Sequence, residues 1–247
     1  MRVIEWKLLS DFPELTKNVV HIWKSDLSRL YGIDLNLLSA EELKKADKFR
    51  FEPDRKRYLA SHLFLRRILS GYARMKPDRI QFQFDDNGRP SLKATDRAPF
   101  FDFNLSYSGS MGVVAVTGGN RTGVDIERID NADYGADIVD RYFSRSETRA
   151  IKAVESSEWN EAFFRLWTGK EAFQKAQGGG LHISLDSFSI ESLLLDDTVG
   201  ICFSEESSLQ RGFWKITHFI PADGYSGAVA YSDQVTSLEF YELEIAP

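Results

Sequence analysis

The sequence predicts an α+β protein whose two halves have a similar order of helices and strands. The first half contains a helix-capping pattern and a long amphipathic stretch, followed by short alternating segments separated by turns. The same kinds of segment return after residue 120, although no internal repeat is visible residue by residue. The chain has 247 residues, of which 43% are hydrophobic, and this is enough for one large domain or two small ones.

Two helices are predicted in the first third of the chain. Ser39 and Glu42 have the spacing of a capping box, and the helix that they open is expected to continue to about Phe51, where Pro53 interrupts it. A second helix is expected over residues 54–72, because apolar side chains recur there every three or four positions.

Strands and a hinge follow these helices. Alternating or apolar segments predict strands over residues 81–84, 100–105 and 111–117. Adjacent glycines within residues 117–121 predict a hinge, which divides the chain into an N-terminal half, residues 1–119, and a C-terminal half, residues 120–247. Beyond the hinge we expect strands over residues 123–129, 187–193, 199–203, 213–220 and 226–231, and helices that begin at Ser144 and span residues 160–177.

Charge and cysteine content narrow the classes of function. The net charge of −6 argues against nucleic acid as a partner, although residues 41–80 contain 12 Lys or Arg against 6 Asp or Glu. This basic region is either a solvated helix surface or a site for an anionic ligand. Cys202 is the only cysteine, which excludes an intramolecular disulfide framework and fits a reducing, cytoplasmic location. No apolar run approaches the roughly 18–20 residues of a membrane helix, so no membrane partner is expected.

Asp125 and Glu127 form the first candidate site. Successive side chains of a strand alternate between its faces, so these carboxylates share one face while Val124 and Ile126 point to the other. Hard divalent cations such as Mg²⁺ prefer oxygen ligands, and the pair could supply two of them. Acidic pairs on strands are usually solvated, so the pair alone also fits a plain polar surface.

Glu171 and Lys175 form the second candidate site, four residues apart on a predicted helix that also carries Lys170. Such charges commonly form a surface ion pair that contributes about 0.3–0.5 kcal/mol. Gly169 is unusual for an ordinary helix surface, because glycine in a helix interior costs about 1 kcal/mol relative to alanine. Close approach of a ligand or of a neighbouring element would explain it.

Two further segments have a structural and a chemical interpretation. Ser144 and Glu147 have capping-box spacing, so Glu147 can serve the helix terminus, the chemistry, or both. Residues 104–109 indicate a Ser/Gly turn whose hydroxyls and amides suit a phosphate, and Arg89 is a cation in the turn before it along the chain.

Taken together, these segments resemble the signature blocks of the 4′-phosphopantetheinyl transferases, of the large Sfp type. The blocks are Gly123-Val124-Asp125-Ile126-Glu127, Phe143-Ser144-Arg145-Ser146-Glu147 and the nine residues from Trp167 to Lys175. Residues 87–90, 103–109 and 45–66 resemble the N-terminal half of the same family, so the resemblance covers about residues 40–190.

The resemblance implies both a fold and a reaction. The fold would consist of two similar α/β halves related by a pseudo-twofold axis, with coenzyme A in the cleft between them. The reaction would transfer the phosphopantetheine arm of coenzyme A to a serine of an acyl or peptidyl carrier protein. Mg²⁺ would be required, and adenosine 3′,5′-bisphosphate would be released.

The resemblance also implies roles for individual residues. Asp125, Glu127 and Glu171 would hold the metal, while Lys175 would contact the pyrophosphate and Lys170 would neutralise charge nearby. Coenzyme A would be bound through Arg89 at the nucleotide, Ser106 at a phosphate, Lys45 and Arg57 near the 3′-phosphate, and Tyr107. Many relatives have histidine where this chain has Tyr107, which stays neutral at pH 7 and can only donate a hydrogen bond to a phosphate.

The residue that accepts the proton of the serine nucleophile stays open at this level. Glu171, Glu147 or a water molecule on the metal could do so, and our hypothesis is Glu171, directly or through water. The catalytic candidates are therefore Glu171, Lys175 and Glu147. The carrier protein is expected to dock on residues 128–141 and on basic residues of the N-terminal half, and the enzyme is expected to be a monomer. The alternatives are a Mg²⁺-dependent phosphodiesterase or nuclease and a non-catalytic coenzyme A-binding protein.

Overall fold

The computed structural model describes residues 4–32, 34–93, 100–129, 135–178, 183–190, 197–203 and 213–244. Its helices are α1 (Ala40–Ala46), α2 (Glu52–Ala73), α3 (Gly135–Tyr142), α4 (Arg145–Lys152) and α5 (Trp159–Gln177). Its first six strands are β1 (Lys7–Leu9), β2 (Val19–Asp26), β3 (Phe82–Phe84), β4 (Pro90–Leu92), β5 (Asp102–Ser108) and β6 (Met111–Thr117). The others are β7 (Thr122–Arg128), β8 (Phe188–Ile190), β9 (Thr198–Phe203), β10 (Trp214–Phe219), β11 (Tyr225–Ser232) and β12 (Ser237–Leu243).

Two five-stranded sheets form the framework of the described residues. Sheet 1 has the strand order β1-β12-β2-β6-β5, sheet 2 has the order β7-β11-β10-β9-β8, and β3 and β4 form a separate hairpin. Helix α2 packs its apolar residues on sheet 1, and α5 packs on sheet 2. A third apolar cluster, with Val113 of β6 and Val124 of β7, lies between the sheets. The predicted α+β class with two halves is confirmed.

The first predicted helix is shorter than expected. A capping box at Ser39 opens α1 as predicted, but the helix ends at Ala46 and not at Phe51. Phe51 instead has an extended backbone and precedes α2, which carries Pro53 in its first turn. Proline lacks an amide hydrogen and is tolerated there, so it begins the second helix and leaves a turn after the first.

The strand predictions locate the elements but misplace one of them. The segment at residues 104–109, interpreted as a turn, is mostly strand: β5 continues to Ser108, and the chain turns at Gly109. Within the strand predicted over residues 187–193, the structure describes residues 187–190, of which 188–190 form β8. The division at residue 119 stays a prediction. Strand β12 belongs to the predicted C-terminal half by its position in the sequence, but it pairs in parallel with β1 and β2 in sheet 1.

Strands β5 and β7 are the facing edges of the two sheets, and side chains connect them. Every second amide group of β7 donates a hydrogen bond to a polar side chain of β5, in place of a backbone ladder. The pairs are Thr122 with Asp102 (2.9 Å), Val124 with Asn104 (2.9 Å), Ile126 with Ser106 (3.3 Å) and Arg128 with Ser108 (3.1 Å). An otherwise unsatisfied strand edge is thereby paired across the two halves. Among the described residues, no helix has the length and apolarity required to cross a bilayer.

Candidate active site

Strand β7 supplies two carboxylates to one face, as its alternation predicts. Val124 and Ile126 lie in the apolar cluster between the sheets, whereas Asp125 and Glu127 face a cleft beside α5. Asp125 is buried, at 3% exposed, and Glu127 is half-buried. The strand therefore holds both carboxylates away from bulk water.

Helix α5 crosses β7 in close contact and supplies the third carboxylate. A Cβ atom at Gly123 would lie 3.0 Å from Ala176 Cα and closer still to Ala172 O and Ala176 N, so only glycine fits at this crossing. Glu171 and Lys175 lie one helical turn apart and both line the cleft. The close crossing thus brings the charged side chains of α5 beside the carboxylates of β7.

Gly169 is explained by a neighbouring element. A Cβ atom there would lie 2.8 Å from Ile190 Cδ1 and 3.0 Å from His218 Cε1, so the glycine allows α5 to approach sheet 2. The sequence left a ligand or a neighbouring element as explanations, and packing accounts for this residue.

Two serines of β5 and Lys175 organise the carboxylates. Asp125 Oδ1 accepts hydrogen bonds from Lys175 Nζ at 2.6 Å and from Ser106 Oγ at 2.9 Å. Lys175 Nζ also lies 3.1 Å from Ser106 Oγ. Ser108 Oγ donates to Glu127 Oε2 at 2.7 Å. Both metal-site candidates of β7 are thus oriented by hydroxyl groups from the other half.

The cleft has a volume of about 340 Å³ and is open to solvent on one side. Burial, followed by the charge of Asp125, raises the pKa of Glu127, and the same two causes raise the pKa of Glu171. Three carboxylates therefore share a confined space with one lysine. The lining residues are Leu105, Ser106, Tyr107, Asp125, Glu127, Trp167, Glu171 and Lys175.

The donor set of this cleft fits a hard divalent cation. Carboxylate oxygens are the ligands that Mg²⁺ prefers, and Asp125 Oδ2 is buried without a hydrogen-bond partner. As it stands, no group of three or more His, Cys, Asp or Glu side chains in the described residues is close enough to enclose a metal. In this structure the positive charge nearest to Asp125 Oδ1 is the Lys175 ammonium group, at 2.6 Å.

Comparison with known proteins identifies the family. Residues 121–230 match the model of the 4′-phosphopantetheinyl transferase superfamily, and residues 22–118 match that of the 4′-phosphopantetheinyl transferase N-terminal domain. The psf-1 transferase of Bacillus pumilus is 34% identical over 183 residues, covering 71% of this chain and 76% of the relative. The chain belongs to the 4′-phosphopantetheinyl transferases.

Other transferases of this family align over most of the chain. The HetI transferase of Nostoc sp. (strain PCC 7120) is 29% identical over 225 residues, which cover 88% of this chain and 90% of the relative. The Sfp transferase of Bacillus subtilis (strain 168) is 27% identical over 186 residues, covering 72% of this chain and 80% of the relative. The enzyme therefore transfers the phosphopantetheine arm of coenzyme A to carrier proteins, as the resemblance implied.

Two of the expected site residues lie elsewhere in this transferase. Lys170 is fully buried, and its Nζ contacts Glu147 Oε2 at 2.8 Å and donates to the carbonyl groups of Leu185 and Phe188, both at 2.7 Å. Glu147, 1% exposed, closes the capping box of α4 and accepts the Ile190 amide at 2.8 Å. Neither side chain lines the cleft, and their expected action on charge or protons there stays a prediction. They satisfy each other in the core.

The expected coenzyme A ligands divide into two groups. Tyr107 lines the cleft; burial raises the pKa of its phenol, and Arg57 acts on it in the opposite direction. Arg57 contacts Asp54 at 3.4 Å on the first turns of α2, and exposed Lys45 lies 5.5 Å from the Tyr58 ring of that helix. Arg57 and Lys45 do not line the cleft, and Arg89 is not among its lining residues either.

Asp102 has no role in the predictions from the sequence, and Asn104 and Ser108 were expected in a turn and not in a strand. Their signal was the alternation of polar and apolar residues in Asp102-Phe103-Asn104-Leu105-Ser106-Tyr107-Ser108, which is typical of a strand with one polar face. The hydroxyl-rich composition was read as a phosphate-binding turn. In the structure, the same hydroxyl groups bind the edge of β7 and its carboxylates.

Proposed function

We propose that the transfer depends on Mg²⁺ held by Asp125, Glu127 and Glu171, with Lys175 at the diphosphate of coenzyme A. One observation carries this proposal: three carboxylates from β7 and α5 line one cleft, where Asp125 Oδ2 is buried and unpartnered. A single lysine leaves this group negatively charged. Two opposite unit charges about 4 Å apart attract by about 4 kcal/mol at an effective dielectric near 20, so a divalent cation would be bound strongly here.

The reaction exchanges a phosphoric anhydride bond for a phosphate ester bond. The serine oxygen of the carrier protein forms a bond to the phosphorus that bears the pantetheine arm. The bond between that phosphorus and the oxygen of the nucleotide phosphate breaks, and adenosine 3′,5′-bisphosphate leaves with the electron pair. Mg²⁺, when bound, offsets the negative charge of the diphosphate oxygens. Lys175 provides a second positive charge from the rigid end of α5.

Glu171 accepts the serine proton in this proposal, directly or through water. It lines the cleft on the same helix as Lys175, whereas Glu147 is held by Lys170 in the core. Proton transfer requires a base within hydrogen-bond reach of the reacting hydroxyl, and among the catalytic candidates only Glu171 is a carboxylate in the cleft.

The carrier protein would dock beside the basic surface of α1 and α2, which includes Lys45 and Arg57. Carrier domains are small and often acidic, so complementary charge would guide the encounter. Part of the predicted docking segment, residues 130–134, lies outside the described residues. We infer a monomer, since both halves that form the cleft belong to one chain, and a cytoplasmic location, which the single cysteine fits.

The test combines transfer and metal binding. The enzyme is incubated with coenzyme A, Mg²⁺ and a panel of apo acyl and peptidyl carrier proteins, and the added arm is detected by intact mass. Glu171→Gln should lower turnover by about 100-fold or more while coenzyme A affinity changes by less than about fivefold. Glu161→Gln, on the exposed first turn of the same helix, is the matched control.

The outcomes separate the alternatives. Near-normal turnover of Glu171→Gln would exclude it as the base. Full transfer in the presence of a strong chelator would exclude the metal proposal, and hydrolysis of coenzyme A without any carrier would indicate a phosphodiesterase.

A further inference from the structure

The surroundings of Arg89 differ from those of a cation that is exposed for ligand binding, because groups of this chain already accept its hydrogen bonds. Its side chain is 9% exposed, and its guanidinium is enclosed by three acceptors of this chain. Nη2 donates to Asp102 Oδ2 at 2.6 Å and to Thr122 O at 2.8 Å, and Nη1 donates to the backbone carbonyl of Lys175. The guanidinium therefore joins β5, β7 and α5 at one point.

This point is the C-terminal end of the helix that carries Glu171 and Lys175. Gly178 caps α5 in the left-handed conformation, with φ +71°, and its amide also donates to Lys175 O, at 3.2 Å. Arg121 Nη1 donates to Gln177 O at 2.8 Å. The last carbonyl groups of a helix are its negative end, and cations there are stabilising. Two arginines occupy this end.

The arginine side chains pack closely against the cap. A Cβ atom at Gly178 would lie 3.2 Å from Arg89 Cδ and 2.9 Å from Arg121 Nη1. The guanidinium of Arg89 is thus placed by packing as well as by hydrogen bonds. Asp102, which also accepts the Thr122 amide at 2.9 Å, balances its charge.

We propose that Arg89, oriented by Asp102, is a positioning residue that fixes the last turn of α5 and thereby the backbone of Lys175. The inference rests on the proposed role of Lys175. Thr122 and Asp125 belong to the same strand, so Arg89 ties the lysine backbone to the strand whose carboxylate holds its ammonium group at 2.6 Å. Loss of this tie would let the helix end shift, and a displacement of about 1 Å can cost about 100-fold in rate.

A positioning role and a nucleotide-binding role predict different measurements. If Arg89 acts through Lys175, substitution lowers kcat and leaves the affinity for adenosine 3′,5′-bisphosphate unchanged. If Arg89 binds the nucleotide, that affinity falls and the KM for coenzyme A rises. The bisphosphate lacks the pantetheine arm, so its binding, measured by calorimetry, reports on the nucleotide alone and does not depend on transfer.

The experiment uses Arg89→Gln, Arg89→Lys and Asp102→Asn in the full chain, with Arg121→Gln as the matched control at the neighbouring carbonyl. Arg89→Gln should lower kcat by about 10-fold or more, with bisphosphate affinity and KM for coenzyme A within about threefold. Arg89→Lys, which keeps the charge, should recover part of the loss. In a Lys175→Met background, Arg89→Gln should cost less than about threefold more, because both act on one group.

Each contrary result overturns the proposal. A tenfold loss of bisphosphate affinity would assign Arg89 to the nucleotide, and an equal loss of kcat in the Lys175→Met background would show a purely structural effect. Thermal unfolding of each variant establishes that it is folded. Should Arg89→Gln fail to fold, Arg89→Lys and Asp102→Asn carry the same comparison. An inactive wild-type enzyme that still binds the bisphosphate would count against the proposed function instead.

Discussion

Replacing Gly123 by alanine tests the way in which the cleft is assembled. The new Cβ atom would lie 3.0 Å from Ala176 Cα, and closer to the backbone of Ala172 and Ala176. These neighbours are backbone atoms of α5, so no side-chain rotation relieves the contact. The helix must move away from β7, and it carries both Glu171 and Lys175.

The magnitude follows from the geometry. Restoring ordinary contact to Ala176 Cα requires a few tenths of an ångström, and restoring it to the closer atoms requires a shift on the order of 1 Å. The Lys175 Nζ to Asp125 Oδ1 distance of 2.6 Å would lengthen accordingly. Overpacking of this kind costs about 1–3 kcal/mol of stability, and misplacement by about 1 Å can cost about 100-fold in rate.

The assay measures kcat for holo-carrier formation together with the urea midpoint of unfolding. Gly112→Ala is the matched control, because its Cβ atom would also be crowded, at 2.8 Å from Leu27 Cδ2, but in sheet 1 and only by side chains. We expect both variants to lose stability and only Gly123→Ala to lose about 100-fold in kcat. A folded Gly123→Ala enzyme with normal kcat would refute the claim that this crossing sets the site.

Three further predictions concern charges in the core and the cleft. Glu147→Gln leaves the Lys170 ammonium without its counter-charge, so the free energy of unfolding should fall by about 3–5 kcal/mol in urea titrations. The kcat/KM of the folded enzyme should change less than about threefold. A large loss of kcat/KM would instead show that Glu147 takes part in catalysis. Burial lowers the pKa of His218 from its ordinary value of 6.5 to about 3. Its contribution to the free energy of unfolding is therefore complete above pH 6.5 and is lost as the pH falls from 6.5 towards 3. From pH 7 to pH 5 the wild type should lose about 2 kcal/mol more than His218→Gln, and equal pH profiles would contradict this. Lys175→Met removes the ammonium group that competes with a metal ion for Asp125 Oδ1, so the affinity for Mn²⁺ without coenzyme A should rise by about threefold or more in electron paramagnetic resonance titrations. An unchanged Mn²⁺ affinity would show that Lys175 and the metal ion do not compete.

Local periodicity predicted the residues that form the cleft. Period two placed Asp125 and Glu127 on one face of β7, and helical spacing placed Glu171 and Lys175 together on α5. That these elements cross was not in either pattern. The crossing of α5 over β7 was implied only by the family resemblance. Gly123 explains it physically, since a side chain at that position would keep the helix away from the strand.

Partners that are distant along the chain explain what local spacing could not predict. The resemblance implied a role for Lys170 beside the proposed metal ligands. One residue along a helix is a rotation of about 100°, and this turns Lys170 into the core towards Glu147. Strand β12 went unpredicted because its parallel partners β1 and β2 lie more than two hundred residues earlier. No local pattern specifies such a pairing.

The side-chain connection between β5 and β7 explains why the site needs both halves. Ser106 and Ser108 each accept an amide hydrogen of β7 and donate their own hydrogen to a carboxylate of that strand. The carboxylates therefore belong to one half, and the hydroxyl groups that aim them belong to the other. A C-terminal half on its own would retain Asp125, Glu127 and Glu171 but would expose the edge of β7 and free its side chains to rotate. The fused arrangement makes the orientation of the proposed metal ligands depend on correct docking of the two sheets.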